Sequence, residues 1–127
     1  NVKIFDYLTN DQIISLYLNT KGLIMPTFVG HSTLPLYEAF YFKVPVFFTK
    51  DLLDEKLKDL VYEIDIYETK DLMKKLKLLE NHPDIKEKKI KLSSQYYNQN
   101  CARELLFLNF KKIFEEYKYL KGRWSEI

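Results

Sequence analysis

The sequence predicts an α/β protein: a small, Rossmann-like parallel sheet flanked by helices, with more helices towards the C-terminal end. Three observations predict it. The short apolar runs Leu23-Ile24-Met25 and Val44 to Phe48 are joined by a helical stretch rather than a tight turn, as parallel strands require. From Thr69 onward apolar residues recur at helical spacing. Composition is that of a globular chain, with 46% hydrophobic and 30% charged residues. No apolar run approaches the ~20 residues of a membrane span.

The elements follow in order. Val2 to Phe5 reads as a short strand. Thr9-Asn10-Asp11-Gln12 fits a capping box, with Leu8 and Ile13 placed for a hydrophobic staple. Ile13, Leu16 and Tyr17 share one helical face, and Asn19-Thr20-Lys21-Gly22 ends that helix, with Gly22 able to supply a left-handed cap or to open the next strand. Leu23-Ile24-Met25 reads as a buried strand that Pro26 ends. Thr27 to Thr33 is a loop, and a helix runs from about Leu34 to Phe42, with Pro35 tolerated in its first turn. Val44 to Phe48 is the next buried strand. Lys50 to Asp59 holds a helical turn, and Leu60 to Ile66 a further strand.

Thr69 is placed to cap a helix reaching about Glu80, with Leu72, Leu76 and Leu79 on one face. Pro83 opens another to about Tyr97, and Asn98-Gln99-Asn100 breaks or bends the chain. The last helix carries Phe107, Phe110, Phe114 and Tyr117 as a stripe that reads as core. No internal repeat or second-domain boundary is visible, so residues 1–127 read as one domain.

Charge and cysteine content exclude several classes. The net charge is +2, without the basic excess of a dedicated nucleic-acid binder. The lone Cys101 permits no internal disulfide and no cysteine-built metal site, and fits a reducing compartment. His31 and His82 lack ligand-like spacing. Lys86 to Lys91, followed by Tyr96-Tyr97, has the chemistry to touch acidic lipid or nucleic acid. Its interleaved acids and helical spacing also describe a solvated helix face. Glu63, Asp65 and Glu68 read as a solvated acid cluster rather than a cation site. No acidic pair at an early strand end offers a phospho-acceptor.

The chemistry concentrates between Pro26 and Val46. After the Leu23 strand the chain turns small and polar at Gly30, His31, Ser32 and Thr33, and a helix then begins at Leu34. First-turn N–H groups lack intrahelical partners and the helix dipole favours an anion there. Gly30 allows close ligand approach, and Ser32 and Thr33 can cap the helix or bond a phosphate oxygen. Glu38, about one turn in, is suited to accept ribose hydroxyl hydrogens. The plainer reading of the same residues is a Ser/Thr-capped helix that carries one glutamate.

The spacing adds a resemblance. Pro26-Thr27, Leu34-Pro35, Glu38-Ala39-Phe40 and Pro45-Val46 resemble the donor-binding segment of GT-B glycosyltransferases of the group-1 retaining family. That family's pattern is P-S, a run of small or acidic residues, L-P-x-L-E-A and then G-x-P-V. Tyr7 to Asp11, through Leu16-Tyr17, resembles its upstream G-x-(V/L)-(S/T)-x-(D/E)-E-L…L-Y. The similarity covers about residues 2–80. It implies a nucleotide-diphosphate sugar as donor substrate, no metal or other cofactor, and transfer with retention to a glycan, lipid or polysaccharide acceptor. Glu38 would bind the ribose, the backbone from Ser32 to Leu34 the diphosphate, and His31 or Ser32 the sugar. No catalytic residue is assigned.

Three positions depart from the pattern. Gly30 stands where an acid contacts the donor sugar, and Lys43 and Asp6 stand where the family has glycine. The resemblance further implies that this chain is the later part of a C-terminal donor domain, with the basic diphosphate-binding residues and the N-terminal acceptor domain upstream, and that it lacks transfer activity alone. It implies a cytoplasmic location, with association at the inner membrane face allowed. The rival reading is a non-catalytic α/β interaction domain that has lost donor binding.

Overall fold

The computed structural model describes residues 2–28 and 34–124. The chain forms two compact units, Asn1–Ser94 and Gln95–Ile127. The first is an α/β unit with a three-stranded, wholly parallel sheet in the order β1-β2-β3. Its elements are α1 (Asn10–Asn19), β1 (Leu23–Met25), α2 (Leu34–Tyr41), β2 (Val46–Thr49), α3 (Glu55–Lys58), β3 (Tyr62–Ile64) and α4 (Asp71–Asn81). Helix α5 (Pro83–Asn100) begins in this unit and ends in the second, which also holds α6 (Arg103–Trp124). The expected fold class, a small parallel sheet flanked by helices with helices at the C-terminal end, is the observed one.

The capping box forms as the sequence predicts. The Gln12 N–H donates to the Thr9 hydroxyl, and the Thr9 N–H donates to the Gln12 side chain at 2.9 Å. Leu8 and Ile13 line one apolar hollow beside this helix, together with Leu16, Tyr17 and Leu23.

Strand β2 anchors the sheet. Each of its residues is buried, because parallel sheets carry helices on both faces. Period two sends Phe47 to one face and Val46 and Phe48 to the other. On the Phe47 side, Tyr62, Ile64 and Leu79 complete a core cluster, with Leu72, Leu76 and Ile85 packed against it. The Phe47 and Tyr62 rings stack at 5.1 Å. Leu36, Ala39 and Phe40 of α2 are fully buried.

Several expectations need correction. Val2 to Phe5 is not a strand: it is exposed, with Val2 at 91%. Among the described residues β1 pairs with β2 alone, so nothing offers this segment a ladder, and an unpaired strand has no stability of its own. For the same reason β1 is an edge strand rather than a buried one, and Ile24 is 42% exposed. Gly22 supplies no left-handed cap. Thr20, in extended conformation, ends α1, and its hydroxyl bonds both the N–H and the carbonyl of Gly22. Gly22 matters instead for close approach, since a Cβ there would lie 3.0 Å from Cε2 of Phe47.

Thr69 does not cap α4. The Asp71 N–H donates to the Glu68 carbonyl, closing a turn that consumes Thr69, and Lys70 takes the cap position without a side-chain bond. The Asn98–Asn100 stretch remains helical, and the interruption falls at Cys101 and Ala102. The stripe on α6 is exposed rather than core, from 59% at Phe110 to 69% at Phe107.

One lysine of the Lys86–Lys91 run also turns inward. Lys89 is half-buried, donates to the carbonyls of Val61 at 2.7 Å and Asp59 at 2.9 Å, and lies 5.3 Å from the centroid of the Tyr62 ring. Burial lowers its pKa from the ordinary lysine value, and the nearby acids Asp59 and Glu63 oppose that shift. The Tyr62 hydroxyl is buried without a hydrogen-bond partner among the described residues.

Helix α2 ends in a Schellman motif. The Val44 N–H bonds the Ala39 carbonyl at 2.8 Å and the Lys43 N–H bonds that of Phe40 at 3.3 Å. The left-handed position is Lys43, at φ 58°. Left-handed backbone costs a residue with a Cβ roughly 1–2 kcal/mol, and a cation at a helix C-terminus returns ~0.3–1 kcal/mol. Lys43→Gly should therefore stabilise the protein by about 0.5–1 kcal/mol, read as a higher midpoint in urea. Gly22→Ala should do the opposite. Phe47 is held against Tyr62 and has little room to yield, so overpacking should cost about 1–2 kcal/mol in the same measurement.

Candidate functional site

In a parallel sheet, ligands bind beyond the carboxyl ends of the strands. There the chain leaves β1 through Thr27 and Phe28, β2 through Thr49 and Lys50, and β3 through Asp65, Ile66 and Tyr67. These residues, with Asp51 and Leu52, line a hollow of about 200 Å³. The strand register brings them together: Met25 lies beside Phe48, and Thr49 beside Ile64. The Thr49 hydroxyl reaches the Met25 carbonyl at 3.4 Å, and the Lys50 N–H bonds the Ile64 carbonyl. Phe28 and Tyr67 meet edge to face across the rim at 6.4 Å.

The hollow holds its own ion pair, Lys50 Nζ to Asp65 Oδ2 at 2.6 Å. Asp65 also accepts from the Tyr67 N–H at 2.9 Å. The Lys50 bond, then the Tyr67 amide, hold its carboxyl below the usual aspartate range, while the same contact with Asp65 raises the Lys50 pKa. Glu68 pairs with Lys74 at 2.7 Å, and the Asp71 carboxylate accepts the Asp65 N–H. The acids expected as a solvated cluster are thus partly neutralised by lysines. Among the described residues no group of three or more His, Cys, Asp or Glu side chains is placed to hold a metal ion.

The sequence-predicted site residues divide. Gly30, His31, Ser32 and Thr33 lie outside the described residues. Leu34 is the first residue of α2 and is 69% exposed. Glu38 sits half-buried on the next turn, where the Tyr17 hydroxyl donates to Oε2 at 3.0 Å and also contacts the Pro35 carbonyl at 3.3 Å. Tyr17 is fixed in turn by stacking on Phe42 at 5.2 Å. Burial first, then the Glu38 bond, raises its phenol far above the ordinary tyrosine pKa. Tyr17 therefore stays a donor at any physiological pH, and one carboxylate oxygen of Glu38 is held in a set direction.

Glu38 does not line the strand-end hollow. The described site thus has two parts: an oriented carboxylate on α2 facing α1, and a small polar-aromatic hollow beyond the strands. Sequence reasoning missed Tyr17 as a partner of Glu38, and missed the hollow residues Thr27, Phe28, Thr49, Lys50 and Tyr67. The signal for the hollow was available, since each follows the carboxyl end of an expected strand. The Tyr17–Glu38 contact depends on how α1 packs against α2, and no local pattern encodes that.

The Asp65 pair has a defined pH response. A carboxyl with a lowered folded-state pKa adds stability above its unfolded value of ~3.9 and loses it as pH falls through the lower folded value. The Tyr67 amide and Lys50 side-chain resonances should therefore hold steady as pH falls towards ~4 and change only below it, as followed by NMR. In Lys50→Ala the Tyr67 amide transition should move up towards the ordinary aspartate value.

No protein-family model, curated protein or solved structure matches the chain.

Proposed function

We propose that this chain is the donor-binding part of a retaining GT-B-type glycosyltransferase. Such an enzyme moves a sugar from a nucleotide-diphosphate donor to a glycan, lipid or polysaccharide acceptor. One observation carries the reading: Glu38, on the helix that follows the loop leaving β1, has one carboxylate oxygen held by Tyr17. Its second oxygen is then pre-aimed, and a carboxylate fixed in this way suits a pair of ribose hydroxyls.

The left-handed backbone at Lys43 adds support. It is the conformation that glycine, the residue the resemblance expects there, adopts without strain. On this reading the loop before α2 and the helix's first N–H groups hold the diphosphate. Donors aimed at the charge that grows as the diphosphate departs lower the barrier. Acceptor binding falls to a separate N-terminal domain, and the location is cytoplasmic, with the inner membrane face as a working surface. Among the described residues no helix is long and apolar enough to cross a membrane.

One observation favours the alternative of a non-catalytic interaction domain. The strand-end hollow, at about 200 Å³, is below the ~300–1,000 Å³ of ordinary ligand pockets, and the Lys50–Asp65 pair occupies it.

Titration of the isotope-labelled chain with UDP and GDP, followed by amide NMR, separates the two. The donor reading expects millimolar binding with shifts clustered over residues 30–39. Glu38→Gln should keep the fold and the Tyr17 contact yet weaken binding roughly tenfold, the loss of one charge-assisted bond. Equal affinity in Glu38→Gln would remove the ribose role. An absence of shifts at millimolar nucleotide would leave the interaction-domain reading.

A further inference from the structure

The hollow beyond the strand ends is too small for a nucleotide, and its charges do not suit a phosphate. Lys50, Asp51 and Asp65 all line it, so one cation is set against two acids, and an anion gains nothing on entering. The Lys50 amine is already paired, with Asp65 Oδ2 at 2.6 Å. Size narrows the choice further. An apolar cavity of ~150 Å³ takes a benzene ring. A hollow of about 200 Å³ therefore takes one six-membered ring with its substituents.

The ion pair presents a donor beside an acceptor. An ammonium group has three N–H donors, and a carboxylate about four acceptor sites. Among the described residues Lys50 gives one donor to Asp65, and Asp65 accepts that bond and the Tyr67 N–H. Both groups keep hydrogen-bonding capacity, and the Lys50 side chain is half exposed. A donor and an acceptor this close match two neighbouring hydroxyls, one accepting from Lys50 while the next donates to Asp65. The mutual contact favours the charged form of each partner, so the pattern persists across physiological pH.

The rim supplies the other half of the chemistry. Phe28 and Tyr67 are 68% and 84% exposed, yet they meet edge to face at 6.4 Å. Two exposed rings beside a polar floor offer a surface to C–H groups. A neutral cyclic polyol carries hydroxyls around its edge and C–H groups on its faces. An aliphatic ligand lacks the hydroxyls, and an amine would compete with Lys50 for Asp65 rather than use both.

We infer that the strand-end hollow binds a single neutral sugar ring, held by the Lys50–Asp65 pair and flanked by Phe28 and Tyr67. The site is independent of the donor-binding reading, since it uses none of the residues assigned to the nucleotide.

Amide NMR of the full chain, titrated with glucose, galactose and mannose, tests it. Inorganic phosphate and ethylammonium serve as charged probes. The expected result is saturable, millimolar binding of at least one sugar, with shifts at Phe28, Lys50, Asp51 and Tyr67. The charged probes should leave these amides in place. Lys50→Met keeps the aliphatic stem and removes the donors, and should weaken sugar binding roughly tenfold. Tyr67→Ala, at an exposed position, should weaken it about fivefold. Both variants should keep the amide spectrum of the three strands. Nucleotide shifts are expected over residues 30–39 instead, so the failure of either reading leaves the other standing.

No saturable shift with any of the three sugars at tens of millimolar would overturn the inference. Tighter binding of phosphate or ethylammonium than of every sugar would overturn it too, and would make the hollow a site for charge. Equal sugar affinity in the unaltered chain, Lys50→Met and Tyr67→Ala would overturn the assignment to these residues.

Discussion

The α/β unit depends on the burial of Phe47. The ring lies at zero exposure on the middle strand, stacked on Tyr62, with Gly22 so near that a Cβ there would touch its edge. Through this one side chain, the turn after α1, the neighbouring strand β3 and the Leu79 face of α4 share a single packing solution. Close-packed interiors do not deform gradually, so displacement of Phe47 must disturb all of these together. The strand ends that form the hollow inherit their spacing from the same arrangement. The site is as rigid as the packing of β2.

The elements that the sequence reveals are those whose stabilising contacts are local. The Thr9–Gln12 box is complete within a single turn and formed where the residues place it. The apolar runs at Leu23 and Val46 became strands, since short fully apolar runs between turn signals have few alternatives. The failures involve partners far along the chain. Val2 to Phe5 has strand composition but no ladder to join among the described residues. Thr69 has the chemistry of a cap, but a turn closed by Glu68 and Asp71 claimed the position. The aromatic stripe of α6 has the spacing of a buried face, and spacing alone cannot tell a buried face from an exposed one.

Much the same division applies to the site. Glu38 was legible as a carboxylate at the start of a helix that follows a strand. Its orientation by Tyr17 was not, because the two residues belong to different helices. Lys50 and Asp65 were legible only as charges. That they face each other follows from the pairing of β2 with β3, a long-range fact. Lys89 is the sharpest case, as one cation in a run of similar ones that turns away from water to bond two backbone carbonyls. The Asp59 and Val61 carbonyls after α3 select it, and they are invisible in the sequence around it.

That lysine has a consequence for covalent chemistry. Amine-directed modification, whether acetyl transfer or a labelling reagent, requires an accessible, unprotonated amine. The Lys89 amine is enclosed by the Asp59 and Val61 carbonyls and the Tyr62 ring, whereas Lys88 and Lys91 on the same helix stand in solvent. Its bonds to the two carbonyls must break before it can react, so it should be modified more slowly than Lys88 or Lys91. A mark on Lys89, once added, would hinder those bonds from re-forming, since an acylated amine lacks the charge that drew it to the carbonyls.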